Sequence, residues 1–217
     1  LRSAILSLAV ALLPLPLFAA APVPQPVVVS TDIGDDIDDA FALALLLRSP
    51  QLDVLGIATA WGDTQLRAQL LQRLLRQAGR SDIPLAIGHK TASAIPFSQA
   101  RWAAQGTLPR KAPDAADFIL AQARRHPGQV TLLVLGPLTD AARALARDPQ
   151  GFAQLRQVVL MGGSVRAGYG KSRYRPPSAP APEYNIVSDI AAAQRVFGAG
   201  VPIVMLPLDA TQVTLEE

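Results

Sequence analysis

The chain has 217 residues, 50% of them hydrophobic and 17% charged, enough for one domain with a sizeable core. Its net charge of +3 is a mild excess that calls for neither a nucleic-acid nor a membrane partner. With no cysteine, a disulfide framework, a thiolate metal site and a cysteine nucleophile are all excluded.

The first residues read as a targeting segment. Arg2 precedes an apolar stretch over 4–13, followed by Pro14, Pro16 and the small run Ala19-Ala20-Ala21. This is the layout of a signal peptide over residues 1–21, cleaved after Ala21. The two prolines and the short apolar run argue against a membrane anchor. Residues 22–26 read as a linker and 27–217 as the folded domain. Export predicts a periplasmic or secreted protein, free of the membrane once the signal is removed.

Residues 27–31 predict a β-branched strand, and 38–47 a helix stopped by Ser49-Pro50. A second strand is expected over 54–60. A helix follows over 64–78, with Leu66, Leu70, Leu71, Leu74 and Leu75 on one face and Gly79 closing it. Further strands at 83–87, 131–135, 158–161 and 201–206 are interspersed with helices at 115–125, 139–146 and 190–197. This alternation predicts an α/β fold, a doubly wound and mostly parallel sheet flanked by helices, with ligands bound beyond the carboxyl ends of the strands. Residues 162–182 break the rhythm. They are rich in Gly, Pro, Ser and Arg, include Tyr169 and Tyr174, and read as a long loop over the strand ends. Arg166, Lys171, Arg173 and Arg175 read as a solvated basic loop, because no nucleic-acid-binding motif accompanies them.

Between the first strand and the first helix, Asp32, Asp35, Asp36, Asp38 and Asp39 fall within eight residues. Carboxylates so crowded repel one another, and a hard cation with oxygen ligands is the expected compensation. A helix cap explains one or two of these acids but not five. The spacing departs from an EF-hand loop, because Gly34 comes too early and no Glu follows at the required distance. It also departs from the Asp-x-Asp pair of phosphatases, which needs Asp at position 34. Of the two histidines, His126 sits at a helix C-terminus, where a cation suits the dipole. His89 follows the third strand, on the side expected to bind ligand.

The run Thr31-Asp32-Ile33-Gly34-Asp35-Asp36-Ile37-Asp38-Asp39-Ala40 resembles the N-terminal signature of the inosine–uridine-preferring nucleoside hydrolases, commonly Asp-x-Asp-Pro-Gly-x-Asp-Asp-Ala. Further segments resemble the family in the same order: Thr59-Ala60-Trp61-Gly62-Asp63-Thr64, Leu135-Gly136-Pro137-Leu138-Thr139-Asp140, Val158-Val159-Leu160-Met161-Gly162-Gly163 with Pro182-Glu183-Tyr184-Asn185, and Leu208-Asp209-Ala210-Thr211. The resemblance implies Ca²⁺-dependent hydrolysis of the N-glycosidic bond of ribonucleosides, with Asp32 activating a water on the ion. It implies Asp32, Asp39 and the main-chain carbonyl of Leu135 as Ca²⁺ ligands. Asp38 and Asn185 are then expected at the ribose hydroxyls, Glu183 near the 5′ side, Met161 against the sugar, and Asp63 in place of the family's usual Asn. A small ribonucleoside is the implied partner, and a homo-oligomer the implied assembly.

The chain departs from the family in four places. Two residues are inserted between Gly34 and the Asp38-Asp39 pair, leaving Asp35 and Asp36 without counterparts. Ile33 replaces Pro, and the loop after Gly163 is longer than usual. The family's C-terminal His-Asp pair is absent, so the domain is expected to be incomplete at its C-terminus. Two alternatives stay open: a non-catalytic metal- or nucleoside-binding protein, and a Mg²⁺-dependent phosphatase using the same strand-end acids.

Overall fold

The computed structural model describes residues 23–108, 111–170 and 178–211. The expected signal peptide, Tyr174 and the basic side chains of Lys171, Arg173 and Arg175 lie outside the described residues. The β-branched Val27–Val29 run forms the middle of β1 (Gln25–Thr31). The chain then passes through the acidic loop into α1 (Asp38–Leu47), β2 (Leu52–Thr59), α2 (Thr64–Gln77), β3 (Leu85–Ala86) and the short α3 (Ala100–Ala103). The second half adds α4 (Ala115–Arg125), β4 (Thr131–Val134), α5 (Thr139–Arg147), α6 (Pro149–Phe152) and β5 (Gln157–Met161). It ends with α7 (Tyr184–Ser188), α8 (Ile190–Phe197), β6 (Ile203–Leu206) and α9 (Leu208–Thr211).

All strand pairs are parallel, in the order β3-β2-β1-β4-β5-β6. The chain builds outward from β1 in one direction, returns to the middle, and builds outward in the other. The reversal falls between β1 and β4, so the crevice beyond their carboxyl ends is the expected ligand site. Ser30 pairs with Val134 across these two strands, and the Leu135 N–H continues the ladder to the Ser30 carbonyl at 2.8 Å. The loops after β1 and β4 therefore leave the sheet side by side.

Alternation along the strands splits the core into two layers. Val27, Val29 and Ile57 face Leu43 and Leu46 of α1 and Leu70, Leu71 and Leu75 of α2. Val28, Leu132, Val158 and Leu160 face α4, α5 and α8 on the other side. The coverage is uneven. On the α1 side, Val204 and Leu206 of β6 are 47% and 38% exposed, and Phe41 and Leu45 of α1 remain open to solvent. Among the described residues no helix is long and apolar enough to cross a membrane.

The expected doubly wound, parallel α/β sheet is present, and α1, α4 and α8 have the expected bounds. The largest departure among the strands is β3, which shrinks to two residues; beyond it Ile87 makes only an isolated bridge to Asp114. Four short helices, α3, α6, α7 and α9, are too brief to show a periodic pattern. Replacing Leu71, which is fully buried in α2, by Ala is expected to lower the unfolding free energy by about 2–5 kcal/mol. Leu45→Ala, at a position 72% exposed, is expected to change it by less than about 0.5 kcal/mol. Denaturant unfolding of both variants checks this, and equal losses would contradict the packing described.

Candidate functional site

The acidic loop is folded back on the strand it leaves. Thr31, the last residue of β1, donates its hydroxyl to the Asp39 carboxylate and accepts the Ile33 N–H at 3.1 Å. Asp39, in the first turn of α1, is thereby brought to the end of β1. Gly34 lies within the loop at φ +123°, a conformation open to glycine, and the Phe97 ring occupies the space a side chain there would need. The segment before α3 clasps the same turn: the Gln99 N–H and the Ser98 hydroxyl donate to the Gly34 carbonyl at 3.0 and 3.2 Å, and the Gln99 side chain donates to the Asp36 carbonyl.

Asp32 lies against the loop after β4, because a side chain at Gly136 would overlap its carboxylate. The Leu135 carbonyl beside it accepts the Asn185 amide at 2.7 Å, and the same amide reaches the Met161 carbonyl at 3.1 Å. Asp32, Asp39, Leu135, Met161 and Asn185, drawn from separate segments of the chain, thus meet at the switch point. Asp38 is exposed at the start of α1, where its carboxylate accepts the Asp39 N–H at 2.9 Å.

Other expected site residues are already engaged. Glu183 is buried, and its two oxygens accept the N–H groups of Asn185 (2.9 Å), Ile186 (3.2 Å) and Gly163 (2.9 Å). It caps α7 and ties that helix to the turn after β5, which sets the position of Asn185. Asp63 caps α2 through the Leu66 N–H at 3.0 Å and pairs with Lys90 at 2.9 Å. Partial burial alone would raise its pKa, but the Lys90 bond and the cap outweigh that and lower it. The His89 side chain is exposed, while its N–H donates to the buried Asp140 at 3.0 Å. His126 caps the C-terminus of α4. The Tyr169 hydroxyl accepts the Tyr184 N–H at 2.7 Å. Asp209 accepts the N–H groups of Val165, Arg166 and Ala167 at 2.8–3.1 Å and so fastens the start of the long loop to α9.

The sequence reading did not single out Arg67, Phe97 or Gln99. Arg67 is the one Arg or Lys among the described residues that is buried. It lies on α2 three and four residues from Leu70 and Leu71, so a charge on a core-facing stripe was the available signal. Phe97 and Gln99 sit in an irregular segment with no periodicity to mark them.

The acids here are strongly perturbed. Asp32 is pushed well above the usual carboxylate range, first by burial and then by the charge of Asp39; Arg67 opposes the rise and Asp35 adds to it. Burial lifts Asp39 to about 6, against the opposing Thr31 bond and with Asp38 adding. Asp36 rises to about 7 through its hydrogen bond with Asp38, with burial and neighbouring charges adding. Two half-buried carboxylates, the charge of one disfavouring ionisation of the other, beside a main-chain carbonyl form an all-oxygen donor set of the kind a hard divalent cation takes. Among the described residues no three His, Asp or Glu side chains form a metal-holding cluster, so this set is a partial shell.

An α/β domain with an acidic, oxygen-lined crevice at its switch point is the class that fold and site define together. The model of the family described as "Inosine-uridine preferring nucleoside hydrolase" matches residues 27–217, and the chain belongs to this family. It is 34% identical over 200 residues to "Probable uridine nucleosidase 2" of Arabidopsis thaliana, covering 85% of this chain and 59% of that protein. It is likewise 34% identical over 204 residues to "Pyrimidine-specific ribonucleoside hydrolase RihA" of Photobacterium profundum, covering 86% and 61%. Among solved structures, the "Plant nucleoside hydrolase - PpNRh1 enzyme" superimposes with a TM-score of 0.71 at 31% identity, over 86% of this chain and 60% of that one. The chain thus spans about three fifths of the length of these relatives.

Gly136→Ala is expected to displace the Asp32 carboxylate or the turn beside it. Divalent-cation affinity, read by titration calorimetry, should then fall by about 10-fold or more while the far-UV circular dichroism keeps its native form. Unchanged affinity would show that Asp32 does not depend on close approach to this turn.

Proposed function

We propose that the full-length protein hydrolyses the N-glycosidic bond of ribonucleosides, releasing ribose and free base, with Ca²⁺ as its cofactor. The observation that carries this reading is the meeting of Asp32, Asp39, the Leu135 carbonyl and Asn185 at the switch point, in a chain of the nucleoside hydrolase family. The names of the relatives, uridine nucleosidase and pyrimidine-specific ribonucleoside hydrolase, favour uridine as the first substrate to try. The N-terminal signal layout supports action in the periplasm or outside the cell, and family resemblance supports a homo-oligomer.

Breaking this bond passes through an oxocarbenium-like transition state. In this reading Asp32, Asp39 and the Leu135 carbonyl hold the cation. When bound, Ca²⁺ supplies the positive charge that acidifies a water and attracts the ribose 2′- and 3′-hydroxyls. Asp32, at the end of β1, would serve as the general base toward the attacking water. Asp38 and Asn185 orient the ribose hydroxyls, and Met161 packs against the sugar. Glu183 acts at one remove by fixing the helix start that carries Asn185. Asp63 contributes through the loop after β2. The crowded carboxylates favour the positive charge that develops on the ring.

Release of uracil from uridine by the full-length protein tests this reading. Asp32→Asn is expected to lower kcat by about 10²–10⁴-fold. Chelation should abolish turnover and added Ca²⁺ should restore it, while 2′-deoxyuridine should be a poor substrate. Undiminished turnover by Asp32→Asn would sink the mechanism, and turnover resistant to chelator would sink the calcium assignment.

A further inference from the structure

Arg67 occupies a place that the apolar pattern of α2 assigns to the core, and its side chain is only 1% exposed. Covering a sheet requires no guanidinium. A buried one is stable only if its donors are matched, so the partners reveal its use. Nε donates to the Trp61 carbonyl at 2.8 Å. One terminal nitrogen donates to the carbonyls of Asp32 and of Ile33, the latter at 2.9 Å. The other meets Asp35 Oδ2 at 2.9 Å. The Phe97 ring covers the guanidinium, with its centroid 4.9 Å from Cζ. Three of the four acceptors are main-chain carbonyls, two in the loop after β1 and one in the loop after β2. Trp61 itself sits at φ +61°, a costly conformation for a bulky residue, and the Nε bond helps to hold it there.

We propose that Arg67 is a positioning residue for the acidic loop: it pins the main chain at Asp32 and Ile33 to the rigid α2 and takes the inserted Asp35 as its counter-ion, leaving Asp32 and Asp39 to hold the cation. The cation part rests on the hydrolase reading; the pinning of the loop does not. Lysine keeps the charge but not the planar fork that reaches two loops and a carboxylate at once. Asp35 Oδ1 is buried without a hydrogen-bond partner among the described residues, so whether Asp35 serves Arg67 or the cation is a sharp question.

The test uses the full-length protein and three variants: Arg67→Lys, Asp35→Asn and Asp39→Asn. Amide hydrogen exchange over residues 32–39, measured without added metal, should quicken by about tenfold or more in Arg67→Lys. In the same variant kcat for uridine should fall by about tenfold or more with KM held within about threefold, the signature of misplaced rather than missing groups. Calorimetric Ca²⁺ affinity should stay within about threefold in Asp35→Asn and drop by about tenfold or more in Asp39→Asn. Unchanged exchange in Arg67→Lys would overturn the positioning role. An affinity loss in Asp35→Asn equal to that in Asp39→Asn would overturn the counter-ion assignment and make Asp35 a ligand. If Arg67→Lys does not fold, Asp35→Asn, which keeps a hydrogen-bond acceptor, still decides the counter-ion assignment. A wild-type protein that binds Ca²⁺ but releases no base would overturn the hydrolase reading instead, with exchange and affinity still deciding this one.

Discussion

Like-charge crowding at the end of β1 is the constraint around which this half of the molecule is arranged. Asp32 and Asp39 are half-buried and near enough for the Asp39 charge to raise Asp32, and Asp35, Asp36 and Asp38 crowd the same field. Such a cluster folds only if the charge is offset. Within the described residues the offset has three parts: Arg67 against Asp35, the Thr31 hydroxyl against Asp39, and the hydrogen bond with Asp38 that raises Asp36 to about 7. What remains is a net demand for positive charge at the switch point, where the topology already places a ligand.

The surrounding carboxylates show how such a site is kept in place. Glu183, Asp63 and Asp209 lie near the crevice in sequence motifs that suggest chemistry, yet each spends oxygens on backbone N–H groups. Helix starts and loop turns leave those donors unmatched, and a carboxylate satisfies them more strongly than a neutral acceptor. The effect is to tie α7 to the turn after β5, to cap the start of α2, and to fasten the start of the long loop to α9. Asn185 therefore reaches the Leu135 and Met161 carbonyls from a rigid helix.

The fold was largely legible in the sequence because its elements are long and strongly patterned. Val27–Val29 announced β1, the leucines of α2 marked its buried face, and Ser49-Pro50 and Gly79 marked the ends of the first two helices. Helices of four or five residues were not legible, since one turn has no period. In the candidate site, the residues that the family resemblance named do come together in space: Asp32 at a strand end, Asp39 at a helix start, Leu135 before a Gly-Pro turn. Arg67 escaped because its role depends on contacts 32 to 35 residues away in sequence. The capping of Glu183 and Asp63 escaped for a related reason. The same carboxylate in the same motif can face a ligand or a helix start, and only the fold decides which.

A crystal of the full-length protein grown with Ca²⁺ and measured for anomalous scattering addresses the arrangement most directly. The peak is predicted about 2.3–2.6 Å from carboxylate oxygens of Asp32 and Asp39 and from the Leu135 carbonyl, with Asp35 still paired to Arg67. A peak coordinated by Asp35, or one away from the β1–β4 crevice, would contradict it.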